Sequence, residues 1–427
     1  MIFPLTPRGR RGNGGVMPSL PVSFLVSRFP NPSETFIQAQ VEGLIERGAS
    51  VEIHALAAGD AEVLGALRLK HGDKLKVFYA PIPKGFGARL ALAPGALSKP
   101  NAMATLNVGE FGDDASSLRL LVAAARWRRD APERRVWLAH YGRWGRFATA
   151  LRDLGLIKGR IATVFHGKDM SAYLKKYPNA YSKLLLRGDL FLPISDLWRE
   201  KLINLGAPEA RTLIHRMGVD ASRFETKPRT LGEGEPVRFI GVGRMVEKKG
   251  FDDALRAFAS LRREHDFPNA TLTLIGDGEL RDHLQNFATS LNLGSVVEFT
   301  GLLPHAEVAR ELRQAHVFVL PSKTAASGDM EGIPVALMEA MAQGLPVLAT
   351  RHSGTPELVE HDVSGLICDE GDWRALSANM KAIATAPERW AAMGQAGASR
   401  VRSEFDLKQW NDKLFERLSG LYALDGA

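Results

Sequence analysis

An α/β chain with two parallel sheets is what this sequence predicts, and three observations predict it. Short runs of β-branched and other apolar residues alternate with amphipathic helical stretches along the chain, the pattern of sheets wound through helices. The alternation is interrupted over GVDASRFETKPRTLGEGEP, where Gly, Pro and charged residues accumulate. The 427 residues exceed what a single compact core usually takes, so two domains are the simplest division.

Taken in order, residues 1–17 place Arg8, Arg10 and Arg11 among glycines and read as a disordered leader, with Met17 a candidate start. The first domain, 18–218, holds PVSFLVS, SVEIHAL, LKVFYA, RVWLAHY, RIATVFHG and GDLFLPIS as buried strands. Helices lie between them, such as ETFIQAQVEGLIERG after the first. The seam falls near 219–235. The second domain, 219–404, repeats the scheme with PVRFIGVG, ATLTLIGDG, VVEFTGLL, AHVFVLPS, LPVLAT and SGLICD. Residues 405–427 form an amphipathic helix with Phe405, Trp410, Leu414 and Leu418 spaced for one face, which needs a neighbour to cover it.

Composition removes several classes. Hydrophobic residues make 45% and charged residues 24%, which excludes disordered, collagenous and disulfide-stapled chains. A single cysteine, Cys368, forms no internal disulfide and no zinc-finger set, so a reducing compartment is expected. No apolar run approaches the roughly 20 residues that span a bilayer, and the opening residues lack the apolar core of a secretory signal. The expected location is the cytoplasm, with peripheral contact to the inner face of its membrane. Residues 1–218 carry 32 Lys/Arg against 18 Asp/Glu, a balance of +14; the remainder carries 23 against 30, or −7. A basic half suits an anionic substrate, an anionic membrane or nucleic acid, and the aromatic residues among the cations in WRRD and YGRWGRF are expected to rest at the headgroup level of such a membrane. Nucleic acid ranks lowest: Arg126, Arg128, Arg129, Arg134, Arg135, Arg143, Arg146, Lys175 and Lys176 are spread over several helical segments, with no nucleic-acid module visible. A merely solvated basic face is the plain alternative.

In open parallel sheets ligands lie beyond the carboxyl ends of the strands, so the residues following each run carry the candidates. Gly243 and Arg244 end VRFIGVGR, and Lys249 follows in GRMVEKKG, with a helix expected from about Phe251. Two cations and glycine-permitted backbone at a helix start suit a diphosphate, although a strand-to-helix turn with solvated cations explains the same residues. After AHVFVLPS, the loop SKTAASGDM leads to EGIPVALME, which sets Glu331 and Glu339 eight residues apart. Gly332, Ile333 and Pro334 open a helix whose free N–H groups can hold phosphate oxygens, with Glu331 just before it in the cleft. A carboxylate beside a sugar accepts two hydroxyl hydrogen bonds, whereas a single Glu on its own is more simply a solvated helix face.

The run EGIPVALMEAMAQGLPVLAT, followed by TPELV, resembles the E-x7-E signature of the retaining glycosyltransferases of family four, and GVGRMVEKKGFDDALRAF resembles their phosphate-binding strand and loop. The likeness extends over IGDGELRDHL, FTGLLPHAEVARELRQAHVFVLPS and HRMGVDASRF, so roughly residues 212–404 follow the family. In the first half it thins to FPNPSETFI, FHGKDMS and SDLWREKLINLG, which look most like the subgroup making colanic-acid-type exopolysaccharides.

The resemblance implies the GT-B architecture of two Rossmann-like domains, with a glycan acceptor bound mainly by the first and a nucleotide sugar mainly by the second; the basic charge of the first points to an acceptor presented on a lipid diphosphate at an anionic membrane surface. It implies that Arg244 and Lys249 bind the donor diphosphate, Glu339 the ribose hydroxyls and Glu331 the donor sugar's hydroxyls, with His166 as the cleft histidine. A histidine after a strand, taken alone, is more often structural. Where many members carry a glycine-rich loop, this chain has SRFPNPSETF, and Ser33, with Glu34 and Thr35 beside it, reads equally as a helix cap or an acceptor contact. No D-x-D occurs, so no metal and no cofactor is expected; Arg244, Lys249 and helix amides would neutralise the leaving group. The alternatives are another GT-B chemistry, a sugar-phosphate acceptor synthase or an epimerase, and a non-catalytic GT-B subunit. An NAD-binding protein is disfavoured because GVGRMV lacks the third glycine spacing.

Overall fold

The computed structural model describes residues 19–31, 34–97, 102–126, 135–264 and 267–424. The leader 1–17, Ser33, Arg128, Arg129 and Arg134 lie outside them.

Among the described residues, twelve strands form two six-stranded sheets, with neighbouring strands paired in parallel. The first contains β1 (Pro21–Phe29), β2 (Ser50–Ala58), β3 (Leu75–Tyr79), β4 (Val136–His140), β5 (Arg160–Phe165) and β6 (Leu190–Pro193) in the order β3-β2-β1-β4-β5-β6. The second contains β7 (Val237–Val242), β8 (Ala270–Ile275), β9 (Val297–Gly301), β10 (Val317–Leu320), β11 (Val347–Thr350) and β12 (Gly365–Cys368), ordered β12-β11-β10-β7-β8-β9. Read from β9, the second repeats the winding of the first, and both are doubly wound Rossmann sheets. Each expected strand is present. Buried on both faces, β4, β6, β10, β11 and β12 have every residue below the surface, which is why they read as continuous apolar runs.

The winding reverses between β1 and β4 and between β7 and β10, opening a crevice at each carboxyl edge. One core surrounds the second sheet, and the first sheet is covered on its two faces by separate clusters, around Phe24 and around Leu25, Trp137 and Phe147. Val219, Ala221 and Phe224 pack with the second core, so the chain has changed domain by residue 219.

The terminal helix, Leu407–Ala423, returns to the first domain, where Leu414 and Leu418 are fully buried. Each buried leucine contributes about 2 kcal/mol of apolar transfer. Phe405 does not share their face. It precedes the helix and lies in the second core, while Val219 pairs with Asp406 beside it, so crossing occurs after 406.

Two readings of the basic half are corrected. Trp144 and Phe147 of YGRWGRF are buried against the first sheet and present no aromatic surface. Arg135 is buried at the start of β4, donating to Ser23 Oγ at 2.8 Å and Glu52 Oε1 at 2.9 Å, and is no surface cation.

Candidate active site

β7 delivers the cationic turn. After Val242, Gly243 continues the sheet by donating to the Ile275 carbonyl at 2.9 Å, and Arg244 follows with its side chain exposed. Lys248 and Lys249 end a short 3-10 turn, and Gly250 starts the helix Phe251–Arg263 at φ 66°. A Cβ at Gly250 would stand 1.9 Å from the Pro321 carbonyl oxygen, so glycine is required for this turn to pass under the loop after β10.

That loop carries Glu331 back over the cationic turn. Its Oε2 is 3.3 Å from Lys249 Nζ, and its Oε1 is 3.4 Å from Lys248 Nζ, which also reaches Asp329 at 3.3 Å. Burial would raise the Glu331 carboxyl, but the Lys249 and Lys248 ammonium groups overcome it and hold it below the usual carboxylate range. Gly332 and Ile333 follow, and Pro334 caps the helix Val335–Ala342. Glu339, on that helix, stands apart from Glu331: its Oε1 is 3.0 Å from His305 Nε2, and this bond raises the imidazole's proton affinity.

The first domain meets the same loop. His166 follows β5 and is buried, its Nε2 3.2 Å from His140 Nδ1 and its ring 4.5 Å from that of Tyr141. Asp169 accepts from the backbone N–H of His166 and of Gly142, both at 2.7 Å. Gly167 lies so close to the Glu331 loop that a Cβ there would stand 2.5 Å from the Met330 carbonyl oxygen, and Met330 N–H donates to Ser171 Oγ at 3.1 Å. Tyr141 sits at φ 73°, a left-handed conformation rare for a bulky residue, and its hydroxyl donates to Glu34 Oε1 at 2.7 Å. Burial and the Glu34 carboxylate raise the phenol's pKa, while the Arg244 charge acts in the opposite sense from across the cleft.

Arg244, Lys249, Glu331, Gly332 and His166 therefore converge where the two carboxyl edges meet. Glu34 occupies the cap position of the helix Thr35–Glu46 without capping it. Its carboxylate serves Tyr141 and Asn31 instead, so the turn faces Tyr141 through Glu34.

Sequence reasoning missed Lys248, Tyr141, Ser171, His352 and Glu370. Tyr141, His352 and Glu370 all lie just beyond strands, where the carboxyl-edge rule points; Lys248 was passed over beside Lys249. Among the described residues, no cluster of three His, Cys, Asp or Glu is placed to hold a metal ion. No described helix is long and apolar enough to cross a membrane.

The buried histidines make stability pH-dependent. Burial pushes His166 and His215 down to about 3, and His140 well below its ordinary value. Unfolded, each takes a proton near pH 6.5, so its stabilising contribution is present above that pH and is lost as pH falls towards 3. Between pH 7 and pH 5 His166 and His215 each lose about 2 kcal/mol, and His140 acts in the same direction. Asp169, pushed up to about 7 by burial, acts oppositely and returns about 2 kcal/mol. Urea midpoints should therefore drop at pH 5 by the equivalent of about 2 kcal/mol or more; a rise would contradict neutral burial of the three imidazoles.

Two doubly wound sheets meeting at their carboxyl edges, with cations and a carboxylate between them, make a GT-B fold. The Anabaena protein Alr3699/HepE, solved in complex with UDP-glucose, has this architecture: the two superpose with a TM-score of 0.68 at 18% identity, covering 94% of this chain and 99% of that one. The chain belongs to the group 1 glycosyl transferases, whose family description matches residues 222–400. It is 38% identical over 409 residues to WcaL of Escherichia coli (strain K12), named for colanic acid biosynthesis, covering 94% of this chain and all of that one. It is 36% identical over 394 residues to the amylovoran biosynthesis glycosyltransferase AmsK of Erwinia amylovora, covering 90% and 96%.

Proposed function

We propose that this glycosyltransferase moves a hexose, with retention of anomeric configuration, from a nucleoside diphosphate sugar to a lipid-diphosphate-linked glycan in exopolysaccharide assembly. UDP is placed ahead of GDP as the carrier. The observation that carries the reading is the meeting of Lys248 and Lys249, on the turn that also holds Arg244, with half-buried Glu331, directly against the His166–Ser171 segment of the other domain. The relatives named for colanic acid and amylovoran biosynthesis support the exopolysaccharide setting, and the UDP-glucose complex of the structural neighbour supports the carrier.

In this reading Arg244 and Lys249 neutralise the diphosphate as it leaves, with the backbone at Gly243, Gly332, Ile333 and Pro334 around its oxygens. Glu339 accepts the ribose hydroxyls in place of His305, and Glu331 accepts hydroxyls of the donor sugar. The bond from the anomeric carbon to the diphosphate breaks while the acceptor oxygen bonds to that carbon on the same face, and a phosphate oxygen takes the acceptor's proton. His166, neutral through burial, borders the sugar without adding charge. Metal is dispensable, because the two cations and helix amides supply the compensation.

A nucleotide-sugar panel tests the reading. The true donor at a hundred times its dissociation constant should stabilise the protein by about 2.7 kcal/mol, and turnover with it should persist in excess chelator. Absence of stabilisation by every UDP- and GDP-sugar, or activity restored only by Mg²⁺ or Mn²⁺, would overturn it.

The acceptor is proposed to be met at the anionic cytoplasmic membrane face. The +14 balance of residues 1–218 and the exposed Phe86, Leu90 and Met103 between β3 and β4 support this, not the buried aromatics of YGRWGRF. Co-sedimentation with anionic vesicles should exceed that with neutral ones at low salt, and Arg126, Arg128 and Arg129 replaced together by Glu should weaken it. Equal retention by both vesicle types would refute it.

A further inference from the structure

Residues beyond three adjacent strands of the second sheet are joined in one hydrogen-bonded chain. Beyond β12, Glu370 Oε1 lies 2.6 Å from His352 Nδ1; beyond β11, His352 Nε2 lies 3.0 Å from the backbone nitrogen of Glu331, which stands beyond β10. The neighbouring Ser353 donates its hydroxyl to the Glu331 carbonyl at 2.8 Å. The backbone N–H of Glu331 can only donate, so His352 Nε2 accepts and carries no proton. The proton is on Nδ1 and is given to Glu370, a carboxylate fixing both tautomer and ring orientation. Glu370 is itself anchored, its other oxygen accepting Thr324 N–H at 2.7 Å at the start of the Glu331 loop. His352 is wholly buried, whereas Glu370 keeps a partly exposed side chain.

We propose that His352, oriented by Glu370, is a positioning residue: its neutral imidazole holds the backbone of Glu331 so that the carboxylate meets the donor sugar. The inference rests on the reading of Glu331 given above. It adds to that reading the reason a loop between two domains keeps its carboxylate in register. The lysines steer the Glu331 side chain from β7, and His352 with Ser353 fixes both polar atoms of its backbone from β11. A carboxylate displaced by about 1 Å from the reacting sugar can cost two orders of magnitude in rate.

The test compares Glu370→Ala, His352→Leu, His352→Gln and Glu331→Gln. Turnover is read with UDP-glucose, or with GDP-mannose should the wild type use it instead, and nucleotide-site affinity is read with UDP or GDP accordingly. Glu370→Ala and His352→Leu should lower kcat at least tenfold while nucleoside diphosphate affinity stays within threefold of wild type. His352→Gln, whose amide oxygen can accept from Glu331 N–H, should recover at least threefold over His352→Leu. Should His352→Leu fail to fold, Glu370→Ala carries the test, because its side chain is partly exposed. Wild-type kcat in Glu370→Ala, no advantage of Gln over Leu at 352, or diphosphate affinity falling in step with kcat would overturn the inference. If Glu331→Gln keeps wild-type turnover, the reading of Glu331 fails and the inference falls with it. If only Glu331→Gln loses turnover, the inference alone fails.

Discussion

Arg244→Ala and Lys249→Ala are each expected to fold and to lose activity by two to three orders of magnitude, with weaker nucleoside diphosphate binding. A charge-assisted contact to a diphosphate in a cleft is worth about 2–5 kcal/mol, and each 1.4 kcal/mol is tenfold. The two differ in their cost to the ligand-free protein. Arg244 is exposed, so its loss should leave the thermal midpoint unchanged. Lys249 is paired with half-buried Glu331, and its removal leaves that carboxylate only Lys248, so some stability is lost as well. Lys249 also reaches the diphosphate by exchanging one anionic partner for another, which avoids baring a buried ammonium beforehand. Calorimetric titration with UDP and GDP, together with melting curves, checks both parts. Near wild-type turnover in both variants would remove these residues from the donor site.

How much of this was legible depends on where the partner of each residue lies in the chain. The strands were legible because parallel strands buried on both faces leave unbroken apolar runs, and the carboxyl-edge rule then set Arg244, Lys249, Glu331 and His166 beyond strand ends, which is where they lie. Trp144 and Phe147 were misplaced on the surface although their own spacing held the correction: with Ala148 and Leu151 they fall at i, i+3, i+4 and i+7 of the helix Gly142–Asp153, the signature of a face turned inward. Arg135 could not be read as buried, because its partners Ser23 and Glu52 come from β1 and β2, more than eighty residues earlier. Phe405 was assigned to the terminal helix although it stands five residues before Trp410, off the three- or four-residue step of a helix face, and the bridge between Val219 and Asp406 draws it into the second core. Contacts across the domains, such as Met330 with Ser171, depend on tertiary placement that no local pattern encodes.

Glu331→Gln should separate the two halves of the site. The amide keeps the size of the side chain but accepts more weakly and carries no charge, so the bonds it would make to donor hydroxyls lose about 1.5–3 kcal/mol, a fall in turnover of roughly ten- to a hundredfold. Nucleoside diphosphate binding should move the other way. In the ligand-free protein Glu331 engages Lys248 at 3.4 Å and Lys249 at 3.3 Å; the neutral amide releases both and removes a negative charge from beside the incoming diphosphate. Affinity for UDP or GDP should therefore be unchanged or tighter, up to about tenfold at one pair's worth of energy. Glu339→Ala gives the contrast. It lies on the helix beyond, paired with exposed His305, and its loss should weaken nucleoside diphosphate and full donor together. Glu331→Gln weakening the free diphosphate as much as Glu339→Ala would show that the two carboxylates serve the same part of the donor, and the division between sugar and nucleotide would have to be abandoned.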